Sequence, residues 1–238
     1  MKYAFLLLLG LLLAGCASAE LSDEQLAGIH RVAVISAVGN ELTLHEVPLM
    51  GFGVEDDFGA IEKFDLDRYF TDKITAALKT HYTVVPIETP IKVETGDKTA
   101  QWYHDDNYTK IQLPPDGDVG SGKVDTFILI ELGTGDPFAA REQVHGAFIS
   151  HHPSMAPVET IVGIAYDIVA VDAKTGETLK RVSVPVAKDA DDALWAEKYS
   201  ALTAAQKDGI NAKLREVVDD TGAKVLEIMK LVGNGENS

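Results

Sequence analysis

Residues 162–186 read VGIAYDIVAVDAKTGETLKRVSVPV, and this stretch carries the clearest fold signal in the chain. Apolar side chains occupy alternate positions from Val162 to Ala170, which is the two-residue period of a strand with a buried face. The segment Asp172-Ala173-Lys174-Thr175-Gly176 favours a turn, and a second strand-like run follows from Thr178 to Val186. The sequence therefore predicts a long β-hairpin in the C-terminal half of the chain.

Other strands are predicted on both sides of this hairpin in the sequence. Arg31–Ser36 and Thr126–Leu132 are apolar on both faces, which is typical of central strands covered by other layers. Gly39-Asn40 favours a turn, and the alternating run Glu41–Val47 predicts a strand paired with the first. Tyr82–Ile87 predicts a short strand that ends near prolines. These segments together indicate a sheet with several buried strands.

Helix signals occur at two main places. An apolar stripe at three- and four-residue spacing follows Asp65, which predicts an amphipathic helix with that residue as its N-cap. Thr203 and Gln206 have the spacing of a capping box, and a long apolar stripe follows them. A short helix is also predicted after Asp192. These helices can cover one face of the predicted sheet.

The order of these elements predicts the fold class. Strands and helices are mixed along the chain, which indicates a single α+β or α/β domain with a mixed sheet over residues 24–232. Residues 94–123 are polar and contain several glycines and a Pro-Pro pair, so they predict a long excursion. Residues 233–238 are predicted to be a disordered tail.

Composition limits the possible partners. The chain has 238 residues and a formal net charge of −16, with acidic residues well in excess of basic ones. Nucleic-acid binding requires clustered Lys and Arg to neutralise phosphates, so the sequence argues against a nucleic-acid partner. There is one cysteine, Cys16. A disulfide within the chain is therefore excluded.

The N-terminus has the parts of a secretory signal. A basic start at Lys2 is followed by the apolar run Tyr3–Leu13 and by the small residues Ala14 and Gly15 before Cys16. This apolar run is shorter than the roughly 20 residues that a spanning helix needs. Residues 1–15 are therefore predicted to be a signal peptide.

The four residues Leu13-Ala14-Gly15-Cys16 resemble the signal box of bacterial lipoproteins. The resemblance implies cleavage before Cys16, a thioether-linked diacylglycerol on its sulfur and a further acyl chain such as palmitate on its amine. Residues 16–23 would then be a lipidated tether. In that family an aspartate directly after the cysteine retains the protein in the inner membrane, whereas the residue after Cys16 in this chain is Ala17. The resemblance therefore implies an outer-membrane lipoprotein that faces the periplasm.

The pattern of elements also resembles particular envelope proteins. The signal box, the early Val-Ala-Val-Ile strand, the following helix and the late strand pair turning at Asp172–Gly176 are similar to penicillin-binding-protein activator lipoproteins. The curli secretion lipoprotein and the amino-terminal domain of the Tol translocation protein are similar in the same way. The likeness covers Arg31–Pro86 and Asp125–Val186. It implies an envelope protein as the partner.

Two glycine-rich segments have the spacing of nucleotide-binding loops. Gly117–Lys123 fits a phosphate-binding loop, but Val124 replaces the hydroxyl residue that holds magnesium, and a strand follows where a helix is needed. Gly133-Thr134-Gly135 follows a strand, but Phe138 stands in place of the third glycine of a dinucleotide site. Both segments are therefore interpreted as turns, and no cofactor is expected.

Three histidines, His145, His151 and His152, lie close together in the sequence and are candidates for a metal site, since imidazole binds zinc and copper. In an extended segment His145 and His151 share one face, whereas His152 points to the other. No carboxylate follows at the helical spacing of known zinc motifs. The histidines are therefore more typical of ordinary strand positions than of a metal centre.

Candidates for partner binding lie in the long excursion. Trp102, Tyr103 and Tyr108 are amphipathic aromatic residues of the kind that anchor protein interfaces, although they can equally pin the excursion to its own domain. Acidic clusters are found at four places, and paired carboxylates can perform acid–base chemistry where burial separates their pKa values. These clusters are Glu55-Asp56-Asp57, Asp105-Asp106, Asp189 with Asp191-Asp192, and Asp219-Asp220.

These observations favour a lipid-anchored envelope module that works through protein contacts and has no catalytic site. The membrane, reached through lipid on Cys16, and an envelope protein are the expected partners. The alternative from another class is an envelope hydrolase that uses a metal or an acid–base pair. A carrier of a small ligand, using the loop from Gly133 to Pro157, is a third possibility.

Overall fold

The structure is a computed structural model that describes residues 21–47, 56–95, 109–135, 144–153 and 159–232. It confirms the predicted fold class, a single α+β domain with a large mixed sheet, a long C-terminal hairpin and amphipathic helices. The helices are α1 (Asp23–Ala27), α2 (Leu66–Leu78) and α3 (Ala204–Ile228). The strands are β1 (Arg31–Ala37), β2 (Glu41–Glu46), β3 (Asp56–Ala60), β4 (Thr83–Val84), β5 (Lys92–Thr95), β6 (Thr109–Gln112), β7 (Thr126–Leu132), β8 (Thr134–Gly135), β9 (Val144–His152), β10 (Glu159–Asp172) and β11 (Thr178–Asp189).

The long strand β10 organises the sheet. One of its edges pairs with β11 in the predicted antiparallel hairpin. Its other edge pairs with two strands in succession, since Ala165 lies opposite Gly146 of β9 and Tyr166 lies opposite Leu132 of β7. β7 and β9 therefore lie end to end along one partner, and the short strand β8, which follows β7, pairs antiparallel with the start of β9.

The sequence prediction that β2 pairs with β1 is wrong. β1 pairs in parallel with β7, and β2 pairs in parallel with β9, so β1 and β2 also lie end to end. The carboxylate of Asp67 explains why the chain does not reverse here, because it accepts hydrogen bonds from the Ser36 hydroxyl at 2.7 Å and from the Val38 N–H at 2.8 Å. Gly39, at φ +86°, allows a kink rather than a hairpin turn.

Two helices cover one face of the sheet, which we call the helix face. Asp65 caps α2 as predicted, by accepting from the Arg68 N–H at 3.0 Å. The predicted capping box of α3 is also formed, with both bonds present between Thr203 and Gln206. The main core lies between these helices and the sheet. Its large, fully buried members include Phe70, Leu66, Ile74 and Leu78 from α2 and Tyr166, Ile164 and Ile168 from β10.

The other side of the sheet, which we call the opposite face, carries a second apolar cluster. Phe127 and Leu129 of β7 and Val169 of β10 pack there against Val85 and Val119. The second pair comes from the segment that leads from β4 to β7, in agreement with the predicted excursion. This segment includes the small two-stranded sheet of β5 and β6. The described part of the excursion therefore covers this cluster on the opposite face.

The domain begins earlier than residue 24. Leu21 is 2% exposed and belongs to the main core, and Ser22 forms a capping box with Gln25 at the start of α1. Both residues fall inside the range 16–23 that the sequence assigned to a tether. The predicted signal peptide, Cys16 and the tail at 233–238 lie outside the described residues. No helix in the described ranges is long and apolar enough to cross a membrane.

Candidate functional residues

The three histidines singled out in the sequence have separate surroundings. His145 and His151 lie near the two ends of β9, about 20 Å apart at the usual rise of a strand. The His145 Nδ1 lies 3.1 Å from the Thr134 hydroxyl, whereas the His151 Nδ1 lies 2.8 Å from that of Thr160. Within the described ranges, no three side chains of the types His, Cys, Asp and Glu are grouped so that they could hold a metal ion.

His151 belongs to a short hydrogen-bonded chain on the helix face. The Thr160 hydroxyl donates to Asp192 Oδ1 at 2.6 Å, so it has only its lone pairs left to accept from the His151 Nδ1–H. The His151 ring also stacks on Trp195, with centroids 5.0 Å apart and an interplanar angle of 13°. These contacts join β9 and β10 to the segment before α3. They explain His151 as a positioning group in the fold.

A second histidine, missed in the sequence, is buried on the opposite face. The His45 Nδ1 lies 2.7 Å from Asp56 Oδ1, with side-chain exposures of 2% and 20%. On the other side of His45, its partner in register is Ser150 of β9. Residues in register on neighbouring strands project from the same face, so Asp56, His45 and Ser150 form a row across β3, β2 and β9.

Two buried hydroxyls near this row have no hydrogen-bond partner. They are the Ser150 Oγ and the Thr43 Oγ1, and both residues are at most 3% exposed. Buried polar groups are normally paired, so unpaired hydroxyls mark a place where a water or a polar molecule can bind. The polar residues of β2 alternate with leucines, and the residues Leu42–His45 are buried on both faces of the strand.

An ion triad lies farther along the opposite face. Arg181 of β11 contacts Asp167 at 2.6 Å and Glu131 at 2.9 Å, and these two acids are only 14% and 12% exposed. Burial raises the pKa of Glu131, although the charge of Arg181 acts against that rise. The triad links β7, β10 and β11. Nothing in the sequence spacing indicated it, because its three members come from three separate strands.

The segment Gly117–Lys123 is a turn, as the sequence predicted, whereas the turn predicted at Gly133-Thr134-Gly135 is wrong, because residues 134 and 135 form β8. Gly117, Gly120 and Gly122 all adopt positive φ, and the chain then runs into β7 rather than into a helix. Thr134 and Gly135 make up β8, and a Cβ on Gly135 would lie 2.9 Å from the Cβ of Pro185 in β11. The absence of a side chain at Gly135 therefore lets β8 lie close to β11. Neither segment has the strand-to-helix setting of a nucleotide-binding loop.

The acidic clusters at Asp189 with Asp191-Asp192 and at Asp219-Asp220 have structural roles. Asp191 caps a single turn of 3-10 helix by accepting from the Ala193 N–H at 2.9 Å. Asp219 contacts Lys73 at 2.6 Å, and Asp220 contacts Lys188 at 2.5 Å. These lysines lower the pKa of both carboxyl groups. Asp105-Asp106 and the candidate partner-binding residues Trp102, Tyr103 and Tyr108 lie outside the described residues.

Comparison with known proteins adds no family. No family model matches the chain, and no curated protein matches it. The structure of a Xanthomonas campestris protein described as a member of family DUF330 aligns with a TM-score of 0.44 and 7% identity. The alignment covers 86% of this chain and 85% of the Xanthomonas chain. A hypothetical protein of Chlamydia trachomatis aligns with a TM-score of 0.32 and 7% identity over 85% and 99%. At these values neither structure bears on the function of this chain.

Proposed function

We propose that this chain is a lipid-anchored lipoprotein of the bacterial envelope, attached to the outer membrane and facing the periplasm. The observation that carries the proposal is the segment Leu13-Ala14-Gly15-Cys16 behind a short apolar run. Several acyl chains on Cys16 would hold the protein on the membrane, since each buried methylene contributes about 0.8 kcal/mol.

The start of the folded domain is compatible with such an anchor. Leu21 is already part of the core, so only four residues, or five Cα–Cα steps, separate it from Cys16. A chain of that length spans at most about 18 Å. The domain would therefore stay next to the bilayer, and any protein partner would have to meet it there.

The domain itself is proposed to act through protein contacts. Its resemblance in element order to penicillin-binding-protein activators, the curli secretion lipoprotein and the Tol amino-terminal domain favours an envelope protein as the partner. The described acidic clusters are engaged as caps and ion pairs, which favours a structural explanation for them.

Cross-linking in intact cells tests this role. The wild-type protein and a Cys16→Ser variant would be cross-linked, and the joined proteins identified by mass spectrometry. The proposal expects one defined envelope protein joined to the wild type and not to the released variant. If neither form is joined to a defined protein, the role in protein contacts is wrong.

A second candidate, an envelope hydrolase, is favoured by one specific arrangement. Asp56 binds the Nδ1 of His45, and Ser150 stands in register on the far side, so the three groups follow the order of a serine nucleophile with its base, although the Ser150 Oγ makes no hydrogen bond to His45 in the structure. Ser150 is fully buried, so substrate would need this face to open. Covalent labelling by a fluorophosphonate tests it, with Ser150→Ala as the control. Absence of labelling in the wild type would reject the candidate.

A further inference from the structure

The two long helices end at the same end of the domain. The Tyr69 hydroxyl of α2 donates to Asp219 of α3 at 2.9 Å. Further along both helices, a Cβ on Gly222 would lie 3.4 Å from the Ile74 Cδ1. Contacts that advance together along both sequences show that α2 and α3 run in the same direction. Their C-terminal ends therefore lie side by side.

The chain enters the domain at this same end. Shortly after α2 finishes, Thr83 pairs with Arg31 at the beginning of β1. β1 is preceded by α1, which has five residues and a length of about 8 Å. Leu21 and Ile29, which flank α1, are both buried in the main core. The residues that follow Cys16 therefore join the domain close to where the two long helices end.

The surface at this end has features that suit a lipid headgroup layer. Ile228, the last residue of α3, is 60% exposed, and it is one of two large apolar side chains that are exposed in the described ranges. The exposed residues Lys224 and Lys230 lie on either side of it, with Glu227 partly buried between them, and Lys79 caps α2. An acidic protein is repelled by anionic lipid, and these three lysines offset the exposed Asp23 and Glu24 of α1 and the partly buried Glu227 at the same end, so the repulsion is weaker there.

We propose that the anchored protein rests on the bilayer through this end, with Ile228 at the lipid surface and the N-terminal ends of α2 and α3 directed away from it. This orientation rests on the proposed lipid anchor at Cys16. The five Cα–Cα steps from Cys16 to Leu21 hold this end of the domain within about 18 Å of the lipid. The polar row on β3, β2 and β9 and the junction of β1 and β2 would then face the periplasm.

Site-specific fluorescence can test the orientation on the whole lipidated chain. Because Cys16 would carry lipid, an Ile228→Cys variant has a single free thiol, which can be labelled with an environment-sensitive dye such as NBD. Ala205→Cys is the matched control, since it is exposed on the same helix and about 34 Å away. Both proteins would be reconstituted into vesicles of phosphatidylethanolamine and phosphatidylglycerol, with and without spin-labelled lipid.

The orientation predicts a blue-shifted emission at position 228 and loss of that emission with spin-labelled lipid, whereas position 205 should behave as in buffer. Equal behaviour at the two positions, or stronger quenching at 205, would overturn it. An Ala223→Cys probe, five residues and about 8 Å before Ile228 on the same helix and also exposed, should give a blue shift and quenching between those at 228 and 205. The intact mass separates the two failures. A chain without lipid rejects the anchor and the orientation together, whereas a lipidated chain with equal probes rejects the orientation alone.

Discussion

Asp125 and Arg31 are joined across the start of the sheet, where the Asp125 Oδ2 accepts a hydrogen bond from the Arg31 backbone N–H at 2.8 Å. The same oxygen accepts from the His30 N–H at 3.0 Å, and the Arg31 side chain donates back to the Lys123 carbonyl at 2.7 Å. These bonds fix the first residues of β1 against the beginning of β7. They hold in place the end of the domain to which the proposed anchor is attached.

Asp125→Ala is expected to destabilise the protein by about 1–3 kcal/mol, because two backbone donors at the start of β1 lose their common acceptor. The free energy of unfolding in urea measures the effect. Asp208→Ala is the control, since Asp208 makes only a long, exposed contact with Lys63 at 3.8 Å and should change stability by about 0.5 kcal/mol at most. Equal losses in the two variants would contradict the role of Asp125.

Asp67→Ala is expected to cost about 1–3 kcal/mol, because its carboxylate is the acceptor for Ser36, Val38 and Gly39 at the junction of β1 and β2. The change in melting temperature and in the free energy of unfolding would show it. Asp72, one turn or so later on the same helix, is mostly exposed and serves as the control through Asp72→Ala. A loss no greater than that of the control would mean that the junction does not depend on Asp67.

Arg181→Ala is expected to cost about 2–3 kcal/mol near neutral pH, because Glu131 and Asp167 would remain buried without their cation. The cost is reduced by the partial exposure of Arg181, which is 39%. Removal of Arg181 should raise the pKa of Glu131 further. A carboxyl group whose pKa is higher in the folded than in the unfolded protein stabilises the fold fully at pH values below its unfolded pKa of about 4.5. This contribution is lost as the pH rises through the pKa of the folded state.

The deficit of Arg181→Ala should therefore shrink as the pH falls toward about 4.5, when Glu131 takes up its proton. Unfolding in urea at several pH values measures this dependence. Arg68→Ala removes an exposed arginine from α2 and should show little deficit at any pH. A deficit for Arg181→Ala that is the same at all pH values would contradict the account of the triad.

Tyr166 should titrate late. Burial raises the pKa of its phenol to about 12, although the hydrogen bond with Thr221 acts in the opposite direction. Between about pH 10 and pH 12 the unfolded chain has lost a proton that the folded chain keeps, so stability falls as the pH rises through this range. Titration of tyrosinate absorbance should show a late step that disappears in Tyr166→Phe. An unchanged titration curve in that variant would contradict the burial of Tyr166.

Local elements of the fold were predictable because their signals are local. The alternation from Val162 onward, the cap at Asp65 and the box formed by Thr203 and Gln206 all depend on residues within a few positions of each other. Strand pairing was not predictable in the same way. The end-to-end placement of β1 and β2 depends on Asp67, which lies 29 residues from Val38 in the sequence.

The polar row of Asp56, His45 and Ser150 shows why the candidate residues were harder to find. Its members come from three strands, and Ser150 lies more than 100 residues after His45 in the sequence. The alternation in β2 does not tell which faces are covered, and the structure buries both faces of this strand. His145 and His151 are close in sequence but lie at opposite ends of one strand, because an extended chain separates residues quickly.

The most direct test of the proposed anchor is to measure the membrane association and the intact mass of the protein purified from bacterial cells, as wild type and as Cys16→Ser. The account predicts a wild-type chain that begins at residue 16, carries the mass of a diacylglycerol and further acyl chain, and sediments with membranes. The variant should lack that mass and be released from the membrane. A wild-type chain without lipid, or a Cys16→Ser protein of equal membrane association, would contradict the central claim.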